Sequence, residues 1–143
     1  MIGLNESVKL GEISGFYDML PESHCQRYQE FQQRLERFQA LASQSDLQRS
    51  MLKLEALAVQ KFFQDQVRSL DLEELEAAAA HRSHTYQVEM DKQLRLLNMD
   101  VMFLQTARQS ATGVQRLRQV SDRVSTLIRY CGATIGVATD QSA

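Results

Sequence analysis

From Pro21 onward the apolar positions recur every three or four residues, the spacing of one helix face. Four helical stretches follow from this period. The first runs from about Pro21, a favourable first-turn residue, to about Ala42. Its apolar positions are Tyr28, Phe31, Leu35, Phe38 and Ala42. The second opens at Ser45, with Gln48 three residues on as a capping box, and its seam reads Leu47, Met51, Leu54 and Ala58. Phe62, Phe63, Val67 and Leu70 then widen the apolar face. The third opens at Asp71 with Glu74 and continues to about Arg108, roughly 55 Å at 1.5 Å per residue. Its strong part is Tyr86, Met90, Leu94, Leu97, Val101 and Leu104. The weakly patterned 77–85 segment is where so long a stretch is expected to break. The fourth opens at Thr112 with Gln115 and shows Leu117, Val120, Val124, Leu127, Cys131 and Ile135.

In an antiparallel hairpin, each step along one seam is matched by a step back along the other. Leu104 then faces Leu117, Val101 faces Val120, Leu97 faces Val124, Leu94 faces Leu127, Met90 faces Cys131 and Tyr86 faces Ile135. The chain folds between Ser110 and Ala111. The first two seams pair Ala42 with Leu47, Phe38 with Met51, Leu35 with Leu54 and Phe31 with Ala58, folding at Gln44–Ser45. Large residues opposite small ones are what packed layers need. The pattern predicts an all-α fold, an antiparallel four-helix bundle built from two helical hairpins over residues 19–138. Residues 1–18 lack a helical period and hold Gly3, Gly11 and Gly15, half of the six glycines. They read as a flexible N-terminal tail, with Met19 as an alternative start, and 139–143 as a C-terminal tail.

One proline in 143 residues sharpens this picture, because sandwiches, barrels and βαβ folds need frequent turn residues. The formal net charge is −2, so there is no global basic signal for nucleic acid. The charge is nonetheless split. Residues 1–91 hold nine Lys/Arg against fifteen Asp/Glu, and residues 92–143 hold seven against three. Pairing between the two halves is the expected use of that split, with a partner-binding face as the alternative. Two cysteines, Cys25 and Cys131, are too few for a disulfide framework or a zinc ligand set. The opening residues lack the basic start and apolar run of a signal peptide, and no apolar stretch is long enough to span a membrane. A cytoplasmic protein with reduced thiols is the expectation.

Asp100 is the most unusual residue, since Leu96, Leu97, Phe103 and Leu104 surround it at helical spacing. A carboxylate in such a setting must be paired and hydrogen-bonded. Hairpin register brings Ser121 level with it, with Arg123 two residues along, so Asp100, Ser121 and Arg123 are expected to form a structural polar network. No second carboxylate or nucleophile is spaced to join Asp100 in acid–base work. His81 and His84 could share a helix face, with His24 and Cys25 completing a metal site. A di-iron bundle wants Glu-x-x-His repeats, however, and these are lacking. Solvated histidines and no metal or cofactor are the expectation. Arg116, Arg118, Arg123 and Arg129 make the fourth helix basic but point in several directions. A scaffold or nucleic-acid role for that helix is the alternative reading. Leu96, Met99, Met102 and Phe103 are expected to be core against the first two helices, or else an adaptable partner or dimer surface. No phosphate-binding loop, dinucleotide-binding glycine pattern, CxxC, HExxH or nucleophile elbow is present, so no enzymatic activity is expected. Arg95, Met102, Arg108, Arg116 and Arg129, on the outward side of the last hairpin, form the candidate partner-binding surface.

The segment Met19-Leu20-Pro21, with Tyr28-Gln29-Glu30-Phe31, resembles the opening of the cyanobacterial PatD-like heterocyst frequency control proteins. The stronger likeness is the run from Lys92 to Arg108, KQLRLLNMDVMFLQTAR, continued by Ser121-Asp122-Arg123 and Leu127-Ile128-Arg129-Tyr130-Cys131. The resemblance covers about residues 19–135, and residues 45–90 match only in helical character. It implies a small non-enzymatic regulator of differentiation and cell division. The implied partner is FtsZ, the tubulin-like division GTPase.

Overall fold

The computed structural model describes residues 20–136. The expected tails, 1–18 and 139–143, lie outside the described residues. Four long helices account for most of the described chain: α1 (Glu22–Ala42), α2 (Arg49–Phe62), α3 (Ala77–Thr106) and α4 (Ser110–Ile135). The described residues contain no strand. One continuous core joins all four helices.

The antiparallel register of α3 and α4 is marked at both ends. Arg116 and Arg123 of α4 reach Asp100 of α3, and Tyr130 packs on Tyr86 with ring centroids 5.7 Å apart. The buried seams are those the period predicts: Met90, Leu94, Leu97, Val101 and Leu104 against Val120, Val124, Leu127 and Cys131. Gln39 of α1 donates to Ser125 Oγ of α4 at 3.0 Å.

The second helix differs from expectation. Met51 and Leu54 are 44% and 61% exposed, whereas Leu52, Ala56 and Val59 are buried. The inward face is therefore turned by one residue, or 100°. Small Ala56 lets α2 approach the large aromatics of α1, and Phe63 meets Phe31 at 5.5 Å between ring centroids. The Ser45–Gln48 capping box does not form, since α2 begins at Arg49 with no side-chain cap. After Phe62 the helix widens into a π-turn, Phe63–Val67, closed by the bond from Arg68 N–H to Phe63 C=O at 2.8 Å. That wider turn keeps both Phe63 and Val67 in the core.

The third stretch breaks earlier than expected. Asp71 does cap, accepting from Glu73 N–H, but it caps only the 3-10 turn Leu72–Glu74. The long helix starts at Ala77, where the Glu76 carboxylate accepts from Ala78 N–H at 3.3 Å. It then runs unbroken for 30 residues. The 77–85 segment stays helical because alanine is the best helix former and Ala79 and Ser83 extend the buried face. Thr112 lies inside α4, which begins at Ser110 without a side-chain cap.

Arg49 joins three segments. Its guanidinium donates to the carbonyls of Leu104 and Ala107 at 2.8 and 2.7 Å, closing the C-terminal end of α3. Gln105 returns a bond to Arg49 C=O at 2.7 Å. Gly113 of α4 lets this guanidinium lie close, since a Cβ there would stand 3.1 Å from it.

The rotated face of α2 has a direct test. Leu54→Ser is expected to change stability by no more than about 0.5 kcal/mol, as for exposed positions. Leu52→Ala is expected to cost about 2–4 kcal/mol through cavity formation. Urea unfolding of the two variants measures both, and the reverse order would restore the face centred on Leu54.

Candidate functional site

Asp100 stands at the edge of the α3 seam and is turned toward α4. Its side chain is 6% exposed. Arg123 Nε donates to Oδ2 at 2.8 Å, and Arg116 donates to Oδ1 at 3.4 Å. The two guanidiniums arrive from positions two turns apart on α4, and their side chains keep about a third of their surface in water, 29% and 33%. The carboxylate is thus buried while its counter-charges stay hydrated, which lowers the cost of burying the ion pair. Arg123 also donates to Gln93, and Arg116 to Gln119 Oε1. Arg116 lies 4.6 Å over the centre of the Phe103 ring, within cation–π range.

The expected network is corrected in one member. Arg123 pairs with Asp100, but Ser121 forms no side-chain hydrogen bond among the described residues. Arg116 takes the second oxygen, because its longer side chain reaches across the groove. A shallow groove of about 260 Å³ beside this network is lined by Gln93, Gln119, Asp122, Arg123 and Thr126.

Met99, Met102 and Phe103, expected either in the core or on an adaptable partner or dimer surface, are 48%, 60% and 45% exposed, which excludes the core reading for them. The inward side of α3 is already filled by Leu97, Val101 and Leu104, so the intervening positions turn outward. The five candidate partner-binding residues do not share one surface. Arg116 is held by Asp100 and Phe103. Arg129 is exposed on the outer side of α4, and Arg108 is exposed in the connection between α3 and α4. Arg95 and Met102 belong to the flank of α3 that faces α2. On that flank Asp91 is reached by Gln64 in the π-turn that follows α2 and by Arg68 just beyond it, and Gln105 donates to Arg49 C=O at the start of α2.

Among the described residues, the ion pairs given by geometry lie mostly within one half of the chain rather than between the two. Lys61–Asp65, Arg68–Asp91 and His24–Glu74 lie within the acidic half, and the Asp100 pairs within the basic half. Arg95–Asp91, at 3.5 Å, joins the two.

A second polar group lies inside the opposite end, where no periodic signal pointed. Gln87 Nε2 donates to the Tyr28 hydroxyl at 2.8 Å and approaches Val67 C=O at 3.4 Å. One turn earlier on each helix stand His24 and Ser83, both buried. His24 Nε2 lies 3.7 Å from the exposed Glu74 carboxylate. Burial pushes the Tyr28 phenol up to about 12, while the bond from Gln87 pulls it down. Burial also pushes the Cys131 thiol well up. His81 and His84 are exposed on α3, whereas His24 is buried on α1. Among the described residues no group of three or more His, Cys, Asp or Glu is gathered as a metal would require.

Asp100→Ala should destabilise by about 1–3 kcal/mol, because the released arginines can turn to water. Arg123→Met should cost more, about 2–4 kcal/mol, because it leaves the carboxylate buried with only a longer contact. The double change Asp100→Leu with Arg123→Met should recover most of the loss in urea melts. At alkaline pH the folded pKa of Tyr28 exceeds its unfolded value near 10. Its protonated form therefore supports folding fully below pH 10, and that support is lost as pH rises toward 12. Cys131 acts in the same direction from about pH 9 upward. Stability should fall by about 1.4 kcal/mol per pH unit for each such group. Tyr28→Phe should flatten the upper part of the curve, measured by denaturant unfolding at stepped pH.

Comparison of the chain with protein-family models, with curated proteins and with solved structures returns no match.

Proposed function

We propose that this chain is a non-enzymatic regulatory protein that works by binding another protein. Its scaffold is read as an antiparallel four-helix bundle of two hairpins, acting in the cytoplasm. The resemblance of residues 92–108, 121–123 and 127–131 to the PatD-like family supplies the partner class: FtsZ, whose assembly the chain would modulate. The observation that carries the binding role is the outward set Met99, Met102 and Phe103. These large apolar side chains lie on a helix whose inward face is already filled. Adaptable methionine surfaces of this kind suit protein contacts. No described helix is long and apolar enough to cross a membrane, so a role on that basis has no support.

The alternative reading, a scaffold or nucleic-acid-associated protein using the fourth helix, has less to draw on. Arg116 and Arg123 are engaged with Asp100, and phosphate binding would need those charges turned outward.

Light scattering of purified FtsZ filaments, with and without the full chain, tests the proposal. The chain should change the amplitude or rate of assembly without hydrolysing nucleotide itself. Met102→Asp should weaken that effect by about tenfold or more, as loss of a central apolar anchor does. Unchanged assembly with the wild-type chain would overturn the reading.

A further inference from the structure

We propose that the outer face shared by α2 and α3 is a docking site for an acidic amphipathic helix of a partner protein. The inference rests on the protein-binding reading above and says which face binds and what kind of segment it takes.

α2, with the π-turn that follows it, meets α3 at both ends of a common flank. Arg49 meets Gln105, and Gln64 meets Asp91. Between those points, helical spacing puts Lys53 and Leu57 of α2 opposite Arg95, Asn98 and Met102 of α3. Leu54 and Met99 are the next positions outward. Leu54, Leu57, Met99 and Met102 are each about half exposed or more, at 61%, 50%, 48% and 60%. Val88, 53% exposed, continues the α3 stripe. From Val88 to Met102 the stripe measures roughly 21 Å, the length of a docked helix of about 14 residues. Its 88, 92, 95, 99, 102 spacing is that of a helix seam.

Charge selects the occupant. Lys53, Lys92 and Arg95 surround the apolar positions, and all three are exposed. Of the carboxylates around this flank, Asp65 is matched by Lys61 at 2.8 Å, and Asp91 is shared by Arg68 and Arg95 at 3.5 Å. Glu55 lies in the groove on the other side of α2 with Arg34 and Arg37, and helical spacing turns Glu89 toward the α4 side of α3, so the cations outnumber the carboxylates along the strip. A net positive rim around an apolar strip calls for carboxylates beside an apolar stripe on the incoming helix. A second copy of the chain fits poorly, because a two-fold contact would bring this cationic rim against itself.

The test uses the full chain with carbon-13 labelled methionine methyls. The probe is a designed peptide of about 14 residues with leucine along one helical face and glutamate elsewhere. A control peptide carries lysine in place of glutamate. The glutamate peptide should shift the Met99 and Met102 methyls saturably, leave Met51 and Met90 unmoved, and bind at least about tenfold more tightly than the control. The Leu57→Glu/Met102→Glu variant should keep the wild-type melting curve and lose binding by about tenfold or more. No shift at Met99 and Met102, equal binding of the two peptides, or shifts at Met51 would overturn the inference. So would sedimentation as a dimer that this variant dissolves. The same variant separates the two ideas in the filament assay. Undiminished action on filaments, with peptide binding lost, would remove this face and spare the regulatory reading. Peptide binding by a chain that leaves filaments unchanged would remove the FtsZ reading and spare the face.

Discussion

A carboxylate inside a helical protein dictates much else. Asp100 is 4% exposed and must find cationic donors within one side-chain length. Among the described residues α4 supplies them, from Arg116 and Arg123. That requirement sets how α3 is rotated about its axis and how far it is shifted against α4. Once Asp100 faces α4, Leu97, Val101 and Leu104 face the interior and Met99 turns to the outside. The outward apolar strip and the buried ion pair are thus two results of one rotation. The apolar seam by itself would tolerate a shift by a full turn, because leucine and valine repeat along it. Charge removes that freedom, much as a buried polar residue sets register in coiled coils.

The third and fourth helices were legible because their seams are unbroken and made of large residues. The chemistry of Asp100 was legible for the same reason: a charged group stands out against apolar neighbours. The second helix was not. It carries two apolar stripes, one through Met51 and Leu54 and another through Leu52, Ala56 and Val59. Size favours the wrong one, since Ala56 looks unimportant until Phe38 and Phe31 have to be accommodated. The π-turn after Phe62 leaves no mark in a simple three-and-four period. The start of α3 was misplaced because a run of alanines has no pattern, although it has the strongest intrinsic preference for helix.

Polar groups inside the other end escaped notice for a different reason. Tyr28 satisfies the apolar period, so its hydroxyl raises no alarm. Gln87 sits one position from Tyr86, which the period prefers. Their hydrogen bond joins α1 to α3, two helices far apart in sequence, and only the folded arrangement brings them together. The candidate binding face escaped similarly. Leu57 and Met102 are unrelated in sequence and come onto one flank only when α2 lies along α3. Arginines counted together on the fourth helix proved to serve different purposes, because position along a helix fixes direction as well as charge.

Arg49 has a consequence for how the molecule comes together. The last carbonyls of a helix normally find water or a local turn. In α3, Leu104 and Ala107 instead receive a guanidinium from a residue 55 and 58 positions earlier, and Gly113 gives that guanidinium room. The end of the longest helix is therefore completed by another part of the chain. A piece containing only α3 and α4 lacks this closure, and its central turn is free to fray. Completion of α3 is tied to the arrival of α2, which makes the assembly of these segments a shared event rather than a sequence of independent ones.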